Sequence, residues 1–133
     1  MYNSLNHKTT MPKPIYINKR AIGPDLPPYI IAELSANHNG DIGRAMAILE
    51  MAKRSGADAV KLQTYTQDTL TLNCTKPDFM ITDGLWQGQT LYDLYSEAHM
   101  PWAWHQPLFR RARELELTIF SSPFDQTAVD YLE

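Results

Sequence analysis

The chain has 133 residues, 44% of them hydrophobic and 20% charged, with a net charge of −3, which suits one ordinary domain with a real core. Its mild acidity and lack of any basic block argue against a nucleic-acid partner, and no apolar run approaches the roughly 20 residues that cross a bilayer. Cys74 is the sole cysteine, which excludes an intrachain disulfide or a cysteine metal cluster and leaves a loop thiol with no helper histidine nearby in sequence.

Met1 to Thr10 carry no secretory pattern, so a soluble, cytoplasmic protein is expected. Residues 1–14 are polar and read as a loose lead. Ile15-Tyr16-Ile17 alternates with polar neighbours as a short strand does, and Ala21-Ile22-Gly23-Pro24 suggests the turn of a small hairpin.

Ile30-Ile31-Ala32-Glu33 is an apolar run that ends on an acid, as expected of an interior strand in a parallel sheet. The cluster Asn37-His38-Asn39-Gly40 is a turn, and Asp41 is placed to cap a helix whose apolar face is Ile42, Ala45, Met46, Leu49 and Ala52. Glu50 and Arg54 are one turn apart and can pair, and Gly56 suits a left-handed stop. A second apolar run, Ala59-Val60-Lys61, ends on a base. Strand, helix and strand form a right-handed parallel unit whose ligands collect at the carboxyl ends of the strands.

By alternation Ile31, Glu33 and Ser35 share one face, as do Ala59, Lys61 and Gln63. An acid and a base then face the same space. A structural ion pair is the plain reading, and a substrate site is the sharper one.

Thr64 to Gln89 reads as a long irregular segment leaving the end where Lys61 sits. Phe79, Met80, Leu85 and Trp86 make it too apolar for a solvated insertion, so a loop packed over the site is expected. Thr90 with Asp93 opens a helix faced by Leu91, Leu94, Tyr95 and Ala98. Met100 is a poor cap before Pro101, which starts a second helix burying Trp102, His105, Leu108, Phe109, Ala112 and Leu115. Leu117 to Ser122 is a third interior strand ending in two hydroxyls, with Ser122 rather than Ser121 on the face of Lys61, and Asp125 caps a last helix.

The fold class is therefore α/β, with three βα units in order. A closed (β/α)8 TIM barrel needs about 200 residues or more, so the chain reads as the first three units of one, truncated. Residues 1–28 form the lead and hairpin and 29–133 the barrel part.

The stretches Ile30-Ile31-Ala32-Glu33-Leu34-Ser35-Ala36-Asn37-His38-Asn39-Gly40, Gly56-Ala57-Asp58-Ala59-Val60-Lys61-Leu62-Gln63-Thr64 and Phe120-Ser121-Ser122-Pro123-Phe124 resemble the sialic acid synthases. Asp68-Thr69-Leu70-Thr71-Leu72, Leu85-Trp86-Gln87-Gly88 and Leu91-Tyr92-Asp93-Leu94-Tyr95-Ser96-Glu97-Ala98-His99 lean toward the pseudaminic acid branch of that family. The resemblance implies condensation of phosphoenolpyruvate with an open-chain 2,4-diacetamido-2,4,6-trideoxy hexose, giving a nonulosonic acid and phosphate.

It further implies that Lys61 contacts the phosphoenolpyruvate anion, with Ser122 and beside it Ser121 on the phosphate. Glu33 stands among the sugar contacts or moves a proton, and Gln63 is a neutral partner for either substrate. Where the sialic acid branch has an asparagine contact to the sugar, this chain has Leu85-Trp86, which suits the methyl group of a 6-deoxy sugar. A divalent metal such as manganese is implied for the intact enzyme with no ligand assigned to His7, His38, His99 or His105, as is a homodimer. The 133 residues alone are expected to be inactive. Alternatives are a neuraminic or legionaminic acid synthase, a Schiff-base aldolase using Lys61, and a sugar-binding module without turnover.

Overall fold

The computed structural model describes residues 13–133, so most of the expected lead, with His7, lies outside the described residues. The chain opens with a hairpin in which β1 (Ile15–Ile17) pairs antiparallel with β2 (Arg20–Ile22). The turn falls at Asn18 and Lys19, whose φ values of 45° and 68° give the primed geometry that matches strand twist. Ala21 and Ile22 therefore belong to the return strand and not to the turn that the sequence suggested.

Three further strands, β3 (Ile31–Glu33), β4 (Ala59–Thr64) and β5 (Thr118–Pro123), form a parallel sheet in the order β3-β4-β5. Helix α1 (Ile42–Arg54) connects the first two, capped by the Asp41 carboxylate, which accepts the Arg44 N–H at 2.7 Å. The chain leaves it through Gly56 at φ 83°, a conformation that costs glycine nothing.

Between β4 and β5 lies more order than expected. Helix α2 (Gln67–Leu70), a 3₁₀ turn at Pro77–Phe79 and an isolated antiparallel bridge between Met80 and Thr90 break up the expected irregular stretch. Local hydroxyl chemistry accounts for α2: Thr69 Oγ1 accepts the Thr66 N–H at 3.2 Å and donates to the Thr66 carbonyl at 2.9 Å. Helix α3 (Leu91–Ala98) follows, with Thr90 accepting the Asp93 N–H and donating to its carboxylate. A 3₁₀ turn at Trp102–Trp104 leads into α4 (His105–Glu114), and α5 (Gln126–Leu132) starts at the Asp125 cap.

The helices cover one face of the sheet. Leu34, Val60 and Leu62 on that face are fully buried against Ala45 and Leu49 of α1 and Leu108 of α4. Burying a leucine completely is worth about 2 to 3 kcal/mol, so this layer holds the strands in place. Met100, expected to be a weak cap, is instead a core residue in the same cluster, because the chain turns inward before Pro101. Trp102, Phe109 and Leu115 are only half-buried.

Two other expectations change. Glu50 pairs with Arg111 of α4 at 2.7 Å and not with Arg54, because α1 packs against α4 and a cross-helix guanidinium reaches the carboxylate directly. Strand β3, expected to be interior, is an edge strand among the described residues, where it pairs with β4 alone and leaves Ile31 on the sheet's second face 42% exposed.

Candidate active site

Parallel register fixes which side chains meet on the second, open face. Glu33 lies opposite Lys61, Lys61 opposite Phe120, and Gln63 opposite Ser122. Register partners point the same way, so one row across three strands carries an acid, a base and an aromatic ring, and the next carries an amide and a hydroxyl.

The Lys61 ammonium donates to Glu33 Oε1 at 2.7 Å. Both side chains remain partly solvated, at 28% and 53% exposure, so the pair is within reach of a ligand and is not a buried structural bridge. Gln63 Oε1 accepts the Ser35 hydroxyl at 3.3 Å. That bond points the amide and sets its NH₂ group free for an incoming acceptor. Ser35 reaches this position because its φ of 47° bends the chain as it leaves β3.

Ser121 does not join this group. Its hydroxyl sits on the helix side, 2.6 Å from Thr64 Oγ1, which in turn lies 2.7 Å from His105 Nε2. His105 is buried, as are Thr64 and the core around them, and burial lowers the pKa of its ring below the ordinary 6.5 against the opposing pull of the Trp102 and Pro101 carbonyls.

His38 is also buried, in the turn after β3. Its Nδ1 accepts the Gly40 N–H at 3.1 Å, and its ring meets Trp104 edge to face at 5.3 Å. Burial, and next the nearby His99, lower its pKa. Asn37 closes the same turn by donating to the Leu34 carbonyl. These contacts make the Asn37–Gly40 turn a shaping element for the strand end.

Trp86 is half-buried over this turn, in a pocket of about 130 Å³ formed with Ala36, Asn39, Gly40, Glu97 and Ala98. No hydrogen bond joins it to Glu33, Lys61 or Gln63. Leu85 is 92% exposed, so the expected apolar wall of leucine plus indole is reduced to the indole. The loop that follows β4 is anchored by aromatic packing instead, with Tyr65 edge-on to Tyr95 and to Phe124.

A larger cavity of about 450 Å³ lies at the other end of the sheet, between the hairpin and the starts of β4 and β5. Part of its charge is committed: Arg20 pairs with Asp58, Asp58 also accepts the Ile30 N–H, and Asn18 donates to Thr118, while Arg113 and Glu116 also line it. Those contacts secure the hairpin to the sheet.

Sequence reasoning found the Glu33, Lys61, Gln63 and Ser122 positions through alternation. Alternation set Phe120 on the face of Ser122 without pairing it with Lys61, and the Thr64 to His105 link was missed. The first was recoverable from strand register, whereas the second joins residues 41 apart and needed the helix packing. Among the described residues no three His, Cys, Asp or Glu side chains converge to hold a metal ion. Likewise no helix among them is long and apolar enough to cross a membrane.

Residues 48–133 match the NeuB family. The pseudaminic acid synthase of Helicobacter pylori is 52% identical over 107 residues, covering 80% of this chain and 32% of that protein. The pseudaminic acid synthase of Campylobacter jejuni serotype O:2 is 49% identical over 105 residues, covering 79% of this chain and 31% of its own length. The crystal structure of the N-acetylneuraminic acid synthetase of Leptospira borgpetersenii, in complex with citrate, superimposes with a TM-score of 0.72 at 24% identity. That match spans 92% of this chain and 38% of the other and speaks for the fold. The chain thus spans about a third of the length of the relatives it matches.

Proposed function

The chain belongs to the NeuB family, and from that premise we propose that the protein it forms part of condenses phosphoenolpyruvate with an open-chain 2,4-diacetamido-2,4,6-trideoxy hexose. The products are a nine-carbon 2-keto acid of the pseudaminic type and inorganic phosphate. The observation that carries this reading is the Lys61–Glu33 contact on the open sheet face, beside Gln63 and Ser122.

The residues suit the chemistry. The C3 carbon of phosphoenolpyruvate bonds to the sugar aldehyde carbon, whose oxygen takes a proton. Water supplies the oxygen that stays at C2, and the C2 to phosphate link breaks. Lys61 neutralises the carboxylate or phosphate of phosphoenolpyruvate with a compact ammonium already held in place by Glu33. Ser122, one register step along, donates to the same anion.

Glu33 accepts sugar hydroxyl or amide donors and is placed to move a proton to or from the aldehyde oxygen. Gln63, aimed by Ser35, supplies amide donors to either substrate. Trp86 gives the sugar end an apolar surface for a methyl group. Ser121, turned to the helix side, is left out of direct contact.

The family's divalent metal belongs to the same proposal for the intact protein. The described residues do not fit one, so no step is drawn through it. A (β/α)8 barrel in which these strands are the first parallel units, a cytoplasmic location and a homodimer complete the reading. The 133-residue chain by itself is proposed to be inactive, since it spans so small a share of its relatives.

The test is phosphate release by the intact protein, with phosphoenolpyruvate and manganese, comparing the trideoxy diacetamido sugar with N-acetylmannosamine. Turnover with the former and little with the latter is expected. Preference for N-acetylmannosamine would move the protein to the neuraminic branch, and a borohydride-trapped pyruvate adduct on Lys61 would replace the reading with an aldolase.

A further inference from the structure

We propose that His105 is a positioning residue for this site, acting through a one-way chain of hydroxyls, Ser121 to Thr64 to His105, that bolts the carboxyl ends of β4 and β5 together from behind. The proposal rests on the synthase reading above for its effect on turnover, while the chain itself follows from hydrogen-bond logic.

That logic starts at a group with no choice. The Trp102 carbonyl can only accept, and His105 Nδ1 lies 3.1 Å from it, so Nδ1 carries the proton. In a neutral ring Nε2 is then an acceptor, and the Thr64 hydroxyl at 2.7 Å must donate to it. Thr64 has spent its proton, so at 2.6 Å it accepts from Ser121. Each donor is fixed by the one before. The Trp102 carbonyl also accepts from the Tyr131 hydroxyl, and the His105 ring meets Tyr131 edge to face at 5.5 Å, which fixes the ring plane.

Thr64 lies opposite Pro123 in the register, at the last pair of the β4–β5 ladder, just past the Gln63–Ser122 pair. The side-chain bond between Thr64 and Ser121 adds a second tie between β4 and β5 where the ladder ends. Gln63 and Thr64 are adjacent, as are Ser121 and Ser122. The hydroxyl chain on one face therefore sets the spacing of the two polar groups on the other.

Two substitutions separate this role from simple packing. His105→Phe keeps the ring and its contacts with Tyr131 and Phe109 but removes the acceptor. His105→Gln discards the ring and keeps an amide oxygen that accepts from Thr64 and an amide N–H for the carbonyl. In the intact protein His105→Phe is expected to lose about ten-fold in kcat/KM for phosphoenolpyruvate, since small misplacements at a site are costly, and His105→Gln to recover most of it. Thr64→Val should match His105→Phe, and the double variant should be no worse than either alone.

A Phe variant at least as active as the Gln variant, or losses that simply add, would overturn the proposal. Nitrogen-15 spectra of the His105 ring in the wild-type protein give a check that needs no turnover: a protonated Nδ1 and bare Nε2 are expected, and the opposite tautomer would refute the chain. Failure of the synthase reading would show differently, as a wild-type protein that releases no phosphate.

Discussion

The two faces of the parallel sheet are built from alternate residues of the same strands and have opposite characters. On the helix side Leu34, Val60 and Leu62 are wholly buried and even the polar residues Thr64 and Ser121 spend their hydroxyls on neighbours. On the open side Glu33, Lys61, Gln63 and Ser122 remain reachable, and Ile31 and Phe120 are 42% and 38% exposed. One residue step thus separates a group that holds the fold from a group offered to a ligand. Charge does not make the division, since two serines in sequence fall on different sides; strand parity does.

If the division is functional, the largest effects should come from Leu62 and Lys61, neighbours of opposite parity. Leu62→Ala removes a side chain with no exposed surface and should cost about 3 kcal/mol of stability, read by urea unfolding of the intact protein. Molecules that remain folded should keep near-normal turnover. Lys61→Met should behave in reverse. Its half-exposed pair with Glu33 is worth less than about 1 kcal/mol to the fold, but loss of the ammonium should lower kcat/KM by about a hundred-fold or more. A Lys61→Met protein that turns over normally would remove the open face from the chemistry.

How far this was readable in advance varies with the distance between partners. The βα units, the Asp41, Thr90 and Asp125 caps, and the shared face of Glu33, Lys61, Gln63 and Ser122 depend on short spacings, and alternation or helical period finds them. The Glu50–Arg111 pair, the burial of Met100 and the Thr64–His105 bond depend on how α4 lies against α1 and the sheet, which no local pattern encodes. The hairpin turn was misplaced because two non-glycine residues adopt positive φ there, and Ala21-Ile22-Gly23-Pro24 carries the louder turn signal.

A finer test of parity uses the serine pair. Ser122→Ala should raise the KM for phosphoenolpyruvate several-fold and leave unfolding unchanged. Ser121→Ala strips a donor from the buried hydroxyl chain and should cost about 1 kcal/mol of stability, with its positioning loss falling on kcat, as for Thr64→Val, and the smaller effect on KM. Equal KM effects from both would mean that the strand ends are less regular than the register indicates.

The smallest effect vanishes at neutral pH and emerges on acidification. Burial lowers the pKa of both His38 and His105 in the folded protein below the 6.5 that an unfolded chain shows. Between the two values the unfolded state binds more protons, so stability rises with pH there, levels off above about 6.5, and falls as pH drops below it. Protonating His105 would also make Nε2 a donor, reverse Thr64 and leave the Ser121 proton without its acceptor. Urea midpoints measured from pH 7.5 down to pH 5 should therefore decline more steeply in the wild type than in His105→Phe, where only the His38 share remains. An identical slope in both proteins would mean that the helix-side face takes up a charge at His105 as readily as solvent does.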